Sequence, residues 1–521
     1  MKKLLSILII LSTLLSLMAC GWLGLDDEAD DTSDEIQDET PDETPDETPD
    51  NTPDDTPDDT PDETPDPVAL NLGGKDIAEY TIVYDEEGLD YNKRAAEYIR
   101  DQILARTHKT VSIVDDSAPV GENEIVVGET SRDISGALDA NTEGLEFAIL
   151  SLEGSVALEG DYFVIAAAAY YFVETYLITA NENNVIPEGV SIHTPIVEEA
   201  KNYILLIGDG MGVYQTQLFD YLDDVSEYSD GEDIFYAYML PYQGFSKTSS
   251  YSGVTDSAAS ATAMATGYKT YNKYVGLDKD GNSVKSLIEL AGERGMATAV
   301  MSTENKTGAT PSAFTAHTIN RDNTSDILAC QTALVAQYGT VIDCGYDYYT
   351  ARYMATIERH ITETLAKVDA DEDGFFLMYE EAYIDKHSAK GDMDKTFLAL
   401  IRFNQAIARF MEYAFYNPDT MVIITADHET GGLLPDGNGG LEYTHDDHTA
   451  ANVPIFAWGA GAERFNGHTI ENIHIAHFLG ECLGDASFGD RTGDWYDDIY
   501  RPSTPTPDDD ELPLVPVDPV S

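Results

Sequence analysis

Five short, unbroken apolar runs constrain the fold of residues 201–500 more than any other feature: Tyr203–Ile207, Ala297–Met301, Phe375–Met378, Met421–Thr425 and Val453–Trp458. Each is four to six residues long and shows no apolar–polar alternation, so each predicts a strand buried on both faces. Helical stretches separate the runs, which predicts a parallel sheet with helices on either side. In open sheets of this kind, ligands bind just past the carboxyl ends of the strands. The polar residues at those ends therefore carry the functional argument.

Asp209 follows the first run, set between Gly208 and Gly210. The glycines allow a sharp turn that brings a carboxylate to the rim, where it can hold a cation, although Gly-Asp-Gly is also ordinary turn chemistry. Glu380 follows the third run, with Asp385 and Lys386 a few residues on, and Asp427 and His428 follow the fourth. His448 and Thr449 precede the fifth. Carboxylates and imidazoles together suit a zinc-type site beside a harder ion. The stretch Val254–Ala263, VTDSAASATA, reads as a helix that starts at Asp256 or Ser257, with small residues behind it. Read alone, Ser257 is a helix cap. Beside bound cations it is also what phosphoryl transfer needs, because a metal lowers the hydroxyl pKa and the helix terminus favours the anion.

In chain order, DGMG, TDSAASATA, GATPSAFTAHTINR, YEEAYIDK, TADHETGGL and DDHTAANVPIFAWG resemble the alkaline phosphatase family over residues 201–482. The resemblance implies an α/β fold, a doubly wound, mostly parallel sheet sandwiched by helices. It also implies a phosphomonoesterase with two Zn2+ and one Mg2+, acting on small phosphate-ester substrates at alkaline pH through a phosphoserine, and typically a homodimer. Carried over by motif, Ser257 is the nucleophile and Arg321 clamps the phosphoryl oxygens, its planar fork matching a phosphate edge. The zinc on Ser257 would take Asp209, Asp427 and His428, and the second zinc Asp385 and His448. Magnesium would take Asp209, Thr310 and Glu380. Two such cations, about 4 Å apart, stabilise both the entering and the leaving oxygen of an in-line displacement. Lys386 either adds a cation or is solvated.

Two positions depart from the family pattern. Ala389 stands where a histidine ligand is expected four residues after Asp385, so the second zinc keeps two matched ligands where catalytic zinc usually has three. His387 and His445 are the alternative donors, and without either the second zinc site is expected to be weak. Gly308 stands where relatives carry Asp or His near magnesium. These departures keep two other readings open: a phosphodiesterase of the same superfamily, and a surface binding protein with a weakened site. A sulfatase is not expected, since no Cys-x-Pro-x-Arg or Ser-x-Pro-x-Arg stands at the nucleophile. Asp369–Glu380 also fits the calcium-hand pattern. Phe375–Met378 reads as a strand, however, where a calcium hand leads into a helix. His317, His360, His474 and His477 carry no motif and read as helix packing.

The flanks concern placement. Lys2 and Lys3, the apolar run Leu4–Met18 and Leu17-Met18-Ala19-Cys20 predict a lipoprotein-type signal over residues 1–20, with export and membrane attachment through lipid on Cys20. In residues 21–67, Thr-Pro-Asp recurs seven times. This predicts a disordered acidic linker, roughly 120 Å long for about 40 residues. Residues 501–521 read as a second acidic, Pro-rich tail. Residues 68–199 alternate strands (Tyr80–Tyr84, Thr110–Val114, Glu124–Gly128) with helices (Tyr91–Thr107, Asp161–Ile178). They predict a smaller N-terminal α/β domain ahead of the catalytic domain at 200–500, loosely similar to the non-catalytic α/β domain of several bacterial glycan-acting enzymes. A packing role fits it better than glycan binding. The whole chain has 96 acidic and 29 basic residues, a net charge of −67, so no nucleic acid is expected on its surface. Cys330, Cys344 and Cys482 read as three buried thiols, or as one disulfide between the first two plus a thiol.

Overall fold

The structure, a computed structural model, describes residues 70–492 except 87–89, 139–141, 153, 178–185, 223–233 and 346–352. The signal, Cys20, the Thr-Pro-Asp repeat and the acidic tail lie outside the described residues.

Six strands form the first sheet: β1 (Thr81–Tyr84), β2 (Ser112–Asp115), β3 (Glu124–Val127), β4 (Phe147–Leu152), β5 (Ser155–Glu159) and β6 (Gly189–His193), in the order β2-β1-β3-β5-β4-β6. β4 is antiparallel to both its neighbours, and the other pairs are parallel. Helices α1 (Asp90–Thr107) and α2 (Val164–Phe172) accompany it, and α2 continues as a wider π turn over Val173–Leu177. Every residue of α2 except Tyr171 is buried, as a helix apolar on all sides must be.

The second sheet holds β7 (Asn202–Gly208), β8 (Tyr242–Lys247), β9 (Ala297–Ser302), β10 (Val341–Cys344), β11 (Phe375–Glu381), β12 (Thr420–Thr425), β13 (Val453–Trp458) and β14 (Thr469–Glu471). Their order is β10-β9-β11-β7-β12-β13-β8-β14. Helices α3 (Ser257–Thr266), α4 (Ala309–Thr315), α5 (Met393–Tyr416) and α6 (Ile473–Cys482) flank it. Alternation within the strands explains the unbroken apolar runs. Ile204 and Leu206 of β7 join the core made with α5, while Leu205 and Ile207 join the opposite core made with α3 and α6. The sheet is α/β and mostly parallel. One expectation is corrected: β13 runs antiparallel to both β12 and β8. It is buried along its whole length like the parallel strands β7, β11 and β12, so its composition carried no sign of its direction.

The two sheets share one core through α5. Phe163, fully buried, meets Tyr236 and Phe415 at ring-centroid distances of 5.4 and 5.7 Å. Tyr98 of α1 stacks on Tyr416 at 4.4 Å, and Arg94 Nε lies 2.8 Å from Glu412 Oε1. Cys330, Cys344 and Cys482 are all free, which removes the disulfide alternative, and they are partly buried where buried thiols were expected. Glu380 lies on β11 with no exposed surface, so the calcium-hand pattern is a coincidence of sequence.

Candidate active site

The site forms where β7, β11 and β12 end side by side. Asp209 leaves β7 in a turn whose second residue, Gly210, has φ +78°. A Cβ on Gly210 would lie 2.7 Å from Asp385 Cα and 2.9 Å from Thr430 Oγ1. Glycine therefore serves both the turn and the close approach of Asp209 to Asp385. Asp427 and His428 leave β12, and the Asp427 Oδ1 atom accepts from the Gly210 and His428 backbone N–H groups at 3.1 and 2.9 Å. Behind it, Asn472 Nδ2 donates to Ser260 Oγ at 2.8 Å, and Ser260 Oγ donates to the Asp427 carbonyl at 2.6 Å. The short pair Glu429–Thr430 with His448–Thr449 brings His448 over His428, with ring centroids 3.5 Å apart.

Ser257 opens α3. Asp256 caps the helix by accepting from Ala259 N at 2.9 Å, and the alanines behind it are buried. Ser257 Oγ lies 3.2 Å from His428 Nε2. That nitrogen is in turn 3.4 Å from Asp209 Oδ1 and 3.3 Å from Asp427 Oδ2. His448 Nε2 lies 3.4 Å from Asp385 Oδ1, and its Nδ1 is 2.8 Å from the Thr255 carbonyl. Arg321 Nη1 is 3.5 Å from Asp256 Oδ2, one residue from Ser257. Thr310, in the first turn of α4, is fully buried.

So much buried negative charge is unfavourable without a counter-charge. Burial first, and then the carboxylates of Asp427, Asp385, Glu380 and Glu304, push Asp209 well above the ordinary carboxylate range. Burial and then Glu304 push Glu380 up to about 8. Burial would also raise Asp385, but hydrogen bonds from His448 and Thr430 and the nearby His428 outweigh it and hold it low. His448 is the mirror case: burial opposes its charge, Asp385 and the Thr255 carbonyl favour it, and it rises to about 9. Asp209 Oδ1 and Asp427 Oδ2 are buried without a hydrogen-bond donor, which is a strong reason to expect a cation there.

Among the described residues, two groups offer three ligand atoms within 4.8 Å of one another: Asp209, Asp427 and His428, and Asp385, His428 and His448. His428 stands in both, so the two groups share one imidazole. Neither alternative histidine joins the group around Asp385. His387 is buried with its ring beside Tyr383, and His445 is exposed on its loop. The sequence reading missed Glu304, Ser302, Thr430, Ser260 and Asn472. Glu304 had a usable signal, since it follows the carboxyl end of β9 as Asp209 follows β7.

A serine at a helix terminus, set among carboxylate–imidazole groups at the ends of a mostly parallel sheet, suits a hydrolase that works with bound cations. Residues 200–344 and 349–442 match the family model described as alkaline phosphatase. Alkaline phosphatase 3 of Bacillus subtilis (strain 168) is 30% identical over 287 residues, 45% of this chain and 62% of that protein. Alkaline phosphatase 4 of the same strain is 26% identical over 294 residues, 46% of this chain and 64% of that protein. The chain thus spans less than two thirds of the length of these curated relatives. The solved alkaline phosphatase of the Antarctic bacterium TAB5 covers 55% of this chain and 99% of its own, at 25% identity and a TM-score of 0.48. Over residues 200–442 the chain is thus similar to the alkaline phosphatase family.

Proposed function

We propose that this protein is an exported, lipid-anchored phosphatase that hydrolyses small phosphate monoesters through a phosphoserine on Ser257, using zinc and magnesium. The observation that carries the reading is the position of Ser257 Oγ, 3.2 Å from His428 Nε2 and therefore next to the buried Asp209 and Asp427 carboxylates. Asp209, Asp427 and His428 would hold one cation, Asp385 and His448 with His428 nearby a second, and Asp209, Thr310 and Glu380 the magnesium. When bound, these ions supply the positive charge that lets a serine hydroxyl ionise and that balances the transferring phosphoryl group.

The chain's own residues do the rest. Ser257 Oγ forms the bond to phosphorus as the ester oxygen departs, and water then displaces Ser257 from phosphorus. The N-terminus of α3 presents backbone N–H groups and a favourable dipole to the phosphoryl oxygens. Arg321, held by Asp256, presents two parallel donors to them. Asn472 and Ser260 fix the Asp427 backbone, so the carboxylate does not reorganise as charge develops.

The test is turnover of p-nitrophenyl phosphate near pH 9 by the full chain with zinc and magnesium added, beside Ser257→Ala. Loss of at least about 10³-fold in kcat is expected. Undiminished turnover in Ser257→Ala would refute the assignment. A parent that cleaves only bis(p-nitrophenyl) phosphate would favour the phosphodiesterase reading.

A further inference from the structure

Glu304 has no role so far. It follows β9, with its backbone N–H donating to Ser302 Oγ at 3.0 Å, and the same Ser302 hydroxyl donates to Glu380 Oε2. Its carboxylate pairs with the Lys386 ammonium, which also lies 4.5 Å above the Tyr383 ring. Glu304 occupies the space that a side chain at position 308 would need. A Cβ on Gly308 would lie 1.7 Å from Glu304 Oε1 and 2.3 Å from its Cδ. The side chain thus fills the place of one at position 308, four residues further along the chain.

We propose that Glu304 is a carboxylate ligand of the magnesium-type site, with Asp209, Thr310 and Glu380, and that Lys386 is an internal counter-ion which the cation displaces from it. Three observations converge. Asp209 Oδ1 is buried and has no donor. Glu380 Oε1 is likewise buried without a hydrogen-bond partner, and the Ser302 hydroxyl ties Glu380 Oε2 to the Glu304 backbone. The Lys386 ammonium is already seated on the Glu304 carboxylate as an ion pair. Three carboxylates and the Thr310 hydroxyl are the oxygen donors that a hard divalent cation prefers. The proposal rests on the cation-binding part of the reading above, and its readout is binding, not turnover.

The experiment is isothermal titration of the zinc-loaded full chain with magnesium chloride. Glu304→Ala is expected to weaken magnesium binding roughly 10-fold or more, whereas Lys386→Met, which removes the competitor, tightens it. Opposite signs from the two halves of one ion pair exclude general damage. Gly308→Asp alone brings no gain, because Glu304 fills its space, while Glu304→Ala with Gly308→Asp recovers most of the lost affinity. Unchanged affinity in Glu304→Ala, or a double variant no better than Glu304→Ala, overturns the proposal. A parent that turns over substrate and binds zinc but not magnesium also overturns it, and leaves the phosphatase reading standing. Magnesium binding that follows the expected pattern without turnover would do the reverse.

Discussion

Gly210→Ala isolates the contribution of geometry to the site. With φ at +78°, the added methyl costs about 1–2 kcal/mol in backbone conformation. It would also lie 2.7 and 2.8 Å from Asp385 Cα and Cβ, where ordinary contact starts at 3.4 Å. Asp385 is fixed by its short helix and by Thr430, so the two segments must part by about 0.7 Å, the difference between those distances. A displacement near 1 Å at a reacting centre costs roughly 10²-fold, so kcat/KM should fall about 10- to 100-fold. Gly281→Ala is the control. Gly281 has φ +82° with nothing within 4 Å of its would-be Cβ, so it keeps the backbone cost and omits the displacement. Steady-state kinetics on p-nitrophenyl phosphate and urea unfolding separate the two effects. Equal losses of activity in both variants, or none in Gly210→Ala, would refute the claim that the Asp209 turn is placed by contact with Asp385.

Two further predictions follow from the same structure. Ala389 N donates to the Asp385 carbonyl at 2.8 Å, so positions 385 and 389 lie one helical turn apart on one face. Ala389→His should therefore tighten zinc binding roughly 10- to 100-fold and speed turnover; an unchanged zinc titration would mean that His428 already completes the second set. His474 and His477 of α6 are pushed down to about 3 and about 4, burial being the largest cause for each. Their folded values lie below the unfolded one, so the stability they contribute is complete above about pH 6.5 and is lost as pH falls toward 4. Between pH 7 and 5 the loss should be on the order of 3 kcal/mol for the pair, read from urea unfolding. The slope should flatten when both are replaced by Gln, and an identical slope in that variant would refute the assignment.

The unbroken apolar runs made five of the eight strands of the second sheet legible, because burial on both faces erases alternation. The other three were hidden for separate reasons. β8, YQGFSK, mixes polar and half-buried positions; β10 is a half-exposed edge; β14 is three residues long. Strand direction was legible where helices separate the runs, but the antiparallel course of β13 was not. The site was legible where chemistry sits just past a strand, as with Asp209, Glu380, Asp427 and His428. It was obscure where a residue acts across the fold. Asn472 reaches Ser260 from 212 positions away, and no local pattern encodes that contact. Glu304 was hidden differently. Position 308 looked like a lost function because a motif assigns functions to positions, whereas the cation and the phosphate respond only to where a carboxylate stands.

Charge then connects the fold to its activity. Asp209, Glu304, Glu380, Asp385 and Asp427 crowd the strand ends of a chain that already carries a net charge of −67. The two basic side chains of the site are each engaged by a carboxylate, Arg321 by Asp256 and Lys386 by Glu304. In that condition the site repels a phosphate dianion, and the α3 terminus alone is too weak a counterweight. Divalent ions that satisfy Asp209 Oδ1 and Asp427 Oδ2 would reverse the local field and, through Glu304, release Lys386. Cation loading would thus convert a cluster that opposes folding into one that attracts substrate. The doubly buried sheet makes this workable. Its apolar runs hold the strand ends together while the carboxylates repel.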